Sequence, residues 1–173
     1  GTALYEHDLA EGVRNLSNEK SRGAAFATML EFLRSDRRAE LIDPVSSTSA
    51  WDDIKAAANR HNDPGTFTAF LGYEYTSSGD AFENLHRIVI FKGDTAPVLP
   101  FSRLDSRNPE ELWRWMDEQR LAGYESLAMP HNSNGSNGWM FSLTDFDGKP
   151  LDSAYADLRM RNERLVENSQ IKG

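Results

Sequence analysis

Two runs rich in aromatic and β-branched residues set the frame for this chain. Thr66-Phe67-Thr68-Ala69-Phe70-Leu71-Gly72-Tyr73 leads into Glu74, and Arg87-Ile88-Val89-Ile90-Phe91 begins directly after His86. Such runs favour extended backbone on a half-buried sheet. The segment between them, Tyr75 to Leu85, is polar and small and contains Gly79. Folded as a hairpin centred near Asp80, it places Glu74 roughly opposite His86. A third apolar run, Ser126-Leu127-Ala128-Met129, ends at Pro130-His131-Asn132. One carboxylate and two imidazoles at strand ends form a donor set for a divalent metal.

Helix signals alternate with these runs. Asn18 to Glu40 reads as a helix with Phe26, Met29, Leu30 and Leu33 at helical spacing. Asp43-Pro44 and the Ser46–Ser49 cluster are expected to break it, and Ser49 to cap a second helix over Ala50 to Arg60. Asn62-Asp63-Pro64-Gly65 is a turn sequence. Asn108, Pro109, Glu110 and Glu111 open a helix that Gly123 closes, with a buried stripe approximated by Leu112, Trp115, Met116 and Leu121. A further helix is expected at about 151–161 and a strand over Leu165–Ile171. With strands near 66–75, 86–92, 125–130 and 165–171, the order reads β-β-α-β-α-β, an α/β fold of about four core strands with flanking helices.

The bulk composition narrows the function classes. The 173 residues carry 19 Lys+Arg against 27 Asp+Glu, a net charge of −8, without a basic run to follow nucleic-acid phosphates. Nucleic acid is therefore not an expected partner, and no apolar run reaches the roughly 20 residues that span a bilayer. The absence of cysteine removes disulfides, thiolate metal sites and cysteine nucleophiles. No leader pattern lies within these residues, so bacterial periplasmic, secreted and cytoplasmic locations stay open.

Each candidate ligand also has a plainer reading. Glu74 can be neutralised by an ion pair, for example with Arg87 across the hairpin. His86 can bond a backbone carbonyl, and His131 can be a loop residue. His7 and His61 sit in polar, helix-terminal contexts and read as solvated. The four tryptophans read as core and helix-packing residues, with a carbohydrate platform as the alternative. Asp145-Phe146-Asp147-Gly148 lacks the closing Glu of a calcium loop and reads as a turn. The glycine-rich loop from Asn132 to Gly138 can present side chains and backbone N–H groups to a ligand.

Several spaced motifs occur in order: Pro64-Gly65-x-Phe67-Thr68-x-Phe70-x-Gly72-Tyr73-Glu74-Tyr75-Thr76, Asn84-Leu85-His86-Arg87, Asn108-Pro109-Glu110-x-Leu112-Trp113-x-Trp115-Met116, Pro130-His131-Asn132-x-Asn134-x-Ser136, Glu163-x-Leu165-Val166-Glu167, and Gln170-x-Lys172-Gly173. Together they resemble the PHP-like (polymerase and histidinol phosphatase) branch catalogued as domain of unknown function 3604. The resemblance covers roughly residues 50–173, and residues 1–49 correspond loosely to a variable helical segment. It implies part of a distorted (β/α) barrel of PHP type around a cluster of divalent ions (Zn, Mn or Fe). By that resemblance Glu74 matches a bridging metal ligand, His86 and His131 match two further ligands, and Asn132 and Asn134 line the site. Arg87 is an anion-binding candidate.

The implied activity is hydrolysis of a small anionic ester, a phosphoester or a related sulfate or phosphonate ester. The alternative is a non-catalytic binding or interaction module with structural histidines. No His-x-His precedes Glu74 and no Asp-x-His follows His131, so the chain is expected to be a central fragment with about half the ligand set and little activity of its own.

Overall fold

The computed structural model describes residues 7, 10, 14, 16–35, 37, 40 and 42–170. Helices α1 (Glu19–Arg34) and α2 (Pro44–His61) precede strands β1 (Gly72–Tyr75) and β2 (Arg87–Phe91). Helix α3 (Pro109–Leu121), strand β3 (Ser126–Pro130) and helix α4 (Ser153–Asn162) follow. The chain divides into two compact units, residues 1–50 and 51–173.

In the first unit, Asn18 caps α1 in a capping box with Ser21. Among its described side chains Ala25 and Phe32 are buried and Phe26 is 57% exposed, while the Leu33 side chain lies outside the described ones. The buried face is thus rotated from the expected one, because Ala25 and Phe32 stand two helical turns apart. The His7 and Arg37 side chains gather on Phe32, and His7 Nε2 lies 3.0 Å from Glu40. His7 is therefore packed and paired rather than simply solvated. Helix α2 begins six residues before the expected Ala50, at Pro44. The presumed breaker is its start: proline has no N–H to leave unsatisfied in a first turn. The Asp43 carboxylate accepts from the Val45 N–H and the Ser46 hydroxyl, which together act as a cap.

The second unit is built on one sheet of order β1-β2-β3, antiparallel throughout. This corrects the expected barrel. A (β/α) barrel closes parallel strands on one another; here three antiparallel strands make an open sheet. The fourth strand is absent over 165–170, and Ile171 lies outside the described residues. That segment instead runs beside β3, and Glu167 N–H bonds Pro130 O at 3.1 Å. Leu165 and Val166 are 56% and 52% exposed, so their apolar character has no burial to reward pairing. The first strand is also short. The turn at Gly65 (φ 94°) closes through Asp63 N–H to Phe67 O, leaving Phe67 and Phe70 exposed ahead of β1.

Strand alternation separates two faces. Tyr75, Val89, Phe91 and Ala128 are buried together with Trp51 and with Leu112, Trp113 and Met116 of α3. The opposite face carries Glu74, Ile88, Ile90, Leu127 and Met129, none of them fully buried. Gly72 is required in β1 because a Cβ there would meet Val89 O at 2.6 Å. On α3 the expected stripe is corrected at two positions: Trp113 is 1% exposed and Leu121 is 91% exposed. At about 100° per residue, Leu121 stands half a turn round from Leu112. Trp139 is 49% exposed and departs from the expected core role, whereas Trp51 and Trp113 are buried. The Asp145 segment forms the expected turn, with Gly148 at φ 83°.

A buried ion pair ties these elements together. Arg87 Nε donates to Glu163 Oε1 at 2.7 Å, with side chains 2% and 1% exposed. The same oxygen accepts Trp113 Nε1 at 2.8 Å, and Glu163 Oε2 accepts Arg159 Nε at 3.0 Å. Arg87 also donates to Leu85 O. Removing one partner of such a pair leaves a buried charge without compensation, at a cost of roughly 3–5 kcal/mol. Glu163→Ala is therefore expected to destabilise the chain by about that amount, read as a fall in the urea midpoint with unchanged slope.

Glu110 supplies a pH dependence. Burial, reinforced by Asp145 and Asp147, raises its pKa above the ordinary 4.5, against opposing effects from Phe146 N–H and Arg114. A group raised in the folded state contributes stability below its unfolded pKa and loses it as pH rises through the folded value. Glu110→Gln should therefore gain stability relative to the parent as pH is raised above 4.5 in chemical denaturation.

Candidate metal centre

The register of the sheet brings Glu74, His86 and His131 together. Glu74 pairs with Ile88, so the hairpin is offset by two residues from the expected Glu74–His86 alignment. An even offset keeps every side chain on its face. Glu74 and His86 are consequently diagonal neighbours. On the other side of β2, Arg87 pairs with Pro130 and His131 N–H bonds His86 O at 3.2 Å. His86 and His131 therefore face each other one step beyond the β2–β3 ladder.

One donor atom from each of the three residues lies within 4.8 Å of the others. His86 Nδ1 is 3.3 Å and His131 Nε2 3.9 Å from Glu74 Oε1. The imidazole rings are 5.8 Å apart, inclined at 60°. For bonds of about 2.1 Å, tetrahedral ligand atoms stand about 3.4 Å apart. The two carboxylate–imidazole separations are close to that spacing. The nitrogen, nitrogen, oxygen set suits zinc, manganese or iron. His131 is buried, and Glu74 is half-exposed at the open side.

Neighbouring loops hold the three donors. Thr76 Oγ1 donates to Glu74 Oε1 at 2.9 Å. The segment between β1 and β2 is a continued ladder: Leu85 N–H bonds Ser77 O, Ser78 bridges Asn84, and Gly79 N–H bonds Glu83 O. Ser77 is fully buried and its hydroxyl reaches Arg107 O. Beyond His131 the chain turns at Asn132, a non-glycine residue at φ 57°. That left-handed conformation is one that asparagine tolerates better than most residues. The Asn132 N–H is fixed by Glu167 Oε2 at 2.9 Å. The loop then docks through Gly135 O to Asn84 N–H.

His131 Nδ1 and Asn132 Oδ1 are buried without hydrogen-bond partners among the described residues. Such atoms are uncommon and mark places where a group from outside can complete the bonding.

The other expected site residues are distributed differently. Arg87 lies on the opposite face of β2, fully buried on Glu163. It is neither beside Glu74 nor open to an anion, because one step along a strand reverses the face. Asn132 is half-buried beside His131, and Asn134 is exposed on the short turn Ser133–Gly135. Two supporting residues were not singled out in the sequence. Thr76 is two positions from Glu74 and could have been found by strand period. Glu167 is 35 residues from Asn132, and no local pattern connects them.

No curated protein and no solved structure matches the chain. The sequence matches the family described as "Protein of unknown function (DUF3604)" over residues 3–173, and the chain belongs to that family.

Proposed function

We propose that Glu74, His86 and His131 form part of a divalent metal centre of a hydrolase acting on small anionic esters, as in the PHP-like proteins that the motifs resemble. The observation that supports this reading is the convergence of one carboxylate and two imidazoles within 4.8 Å on the open face of the sheet. Structural histidines are more often satisfied singly by backbone, whereas here two face a shared carboxylate oxygen. A divalent ion held there supplies Lewis acidity toward an ester or phosphoryl oxygen.

The chain's own residues have distinct tasks in this reading. Glu74 provides negative charge to the ion, and Thr76 keeps its carboxylate oriented. His86 and His131 provide neutral nitrogen ligands from adjoining strands. Asn132, its backbone N–H held by Glu167, offers its side-chain N–H groups to substrate oxygens. The PHP-like pattern has more ligands than these three, so the present residues by themselves hold an ion weakly.

A second reading rests on the Glu74–His86 contact of 3.3 Å, which becomes an ion pair when His86 is protonated and can then stabilise a binding module without metal. Titration with zinc or cobalt(II), followed by calorimetry or by the visible cobalt spectrum, separates the two. The metal reading expects one ion per chain, lost on His131→Ala, and no steady ester turnover by residues 1–173. A longer protein that supplies further ligands should bind metal tightly and lose activity on Glu74→Ala or His131→Ala. Loss of stability on His86→Ala with no metal uptake by the parent selects the ion-pair reading. Thr76→Val should weaken metal affinity by roughly 10–100-fold, the usual effect of removing a partner that orients a ligand.

A further inference from the structure

A concave site lies at the other end of the sheet. A groove of about 720 Å³ opens beside the end of β2 and the start of β3. Four extended residues separate His86 from Ile90 in its wall, a distance of roughly 13 Å. One side is apolar, with Ile90, Leu127 and Phe70, the last 71% exposed. The other side is basic: Lys92, Arg120, Arg161 and Arg164 line it, against Asp94 and Glu125. This local excess of positive charge occurs in a chain of net charge −8.

Three of the basic groups are held by hydrogen bonds, and the fourth, Arg164, is exposed. Asp117 accepts from Arg161 Nη2 at 2.8 Å and from Arg120 Nη1 at 2.5 Å, and the fully buried Asn162 accepts from Arg120 Nη2 at 2.9 Å. Burial opposes ionisation of Asp117, but hydrogen bonds from Arg161, Asn162 and Arg120 outweigh it and hold its carboxyl below the ordinary range. Lys92 is held by Glu125 at 2.8 Å. Arg164 is exposed, lines the groove and acts electrostatically on Glu125. Ser126 lines the groove through its backbone side, while its hydroxyl is buried on the core face of β3, level with Phe91.

We propose that this groove binds a small amphiphilic anion: an aromatic or branched aliphatic body against Phe70, Ile90 and Leu127, with a sulfonate, phosphate or carboxylate head on Arg164. The combination follows the usual design of small-molecule sites, an apolar wall with a few placed polar groups that fix orientation. Arginine suits the head because its planar fork matches oxyanions in pairs of hydrogen bonds. The site is independent of the metal centre and stands whether or not that centre takes up an ion.

The test is calorimetric titration of the full chain, dialysed free of metal, with naphthalene-1-sulfonate, neutral 1-naphthalenemethanol and methanesulfonate. None of the three is a hydrolysable ester. Naphthalene-1-sulfonate is expected to bind at least about tenfold more tightly than either of the other two. Arg164→Gln should weaken it about tenfold, as expected for loss of one charge-assisted contact. Phe70→Ala should weaken it several-fold. His131→Ala should leave it unchanged, which separates this site from the metal centre. The Phe70 and Arg164 side chains are exposed, so their variants keep the fold. Equal affinity for the neutral alcohol, indifference to Arg164→Gln, or loss on His131→Ala would overturn the proposal. So would a concentration-dependent dimer that Phe70→Ala dissolves while no sulfonate binds, since the groove would then be an interface between copies.

Discussion

Placing Arg87 and Glu163 in the interior removes two charges from water, and the second unit is arranged around satisfying them. Glu163 accepts from Arg87, Trp113 and Arg159, while Arg87 also donates to the Leu85 carbonyl. The guanidinium carbons of Arg87 and Arg159 lie 5.9 Å and 5.5 Å from the Trp113 ring centre. Desolvation of such a pair is offset only when the remaining donors and acceptors are also matched. Three elements must therefore meet at one point: β2 through Arg87, α3 through Trp113, and the end of α4 through Arg159 and Glu163. A hydrophobic cluster alone tolerates sliding; this network fixes register.

That anchor also reaches the candidate metal centre. With Glu163 held at the end of α4, the following residues run beside β3. Glu167 then bonds Pro130 O through its N–H and Asn132 N–H through its carboxylate. These contacts fix the backbone on both sides of His131. On the facing strand, Arg87 directs its neighbour His86 to the opposite side of β2. The same alternation that buries the guanidinium thus leaves the imidazole on the open face. Stability and site geometry depend on one strand register, and a slip by a single residue would exchange the two.

The two candidate sites differ in how they are built. Glu74, His86 and His131 converge where three strand ends meet, and their distances come from backbone pairing. The basic groove depends on side chains from α3, α4 and the strand ends, arranged through Asp117 and Asn162. Precision in the first is set by the ladder, and in the second by a hydrogen-bonded polar cluster. Both lie where the sheet lacks a covering layer, so each has groups exposed to a ligand.

Local chemistry in the sequence determined much of the outline. The Asn108-Pro109-Glu110-Glu111 start of α3 and the Asn62–Gly65 turn were legible because each depends on nearby backbone groups. The three apolar runs located the strands, and period two put Glu74, His86 and His131 in reach of one another. Their grouping survived a two-residue error in register because an even slip preserves the face. Tertiary structure decided what the runs could not carry. It set the direction of β2 against β3, which leaves an antiparallel open sheet instead of a barrel. It left Leu165 and Val166 uncovered and unpaired, and it turned Arg87 toward Glu163, 76 residues away. Those outcomes depend on which distant group is present to compensate a buried charge or cover an apolar side chain, and no local pattern encodes that partner.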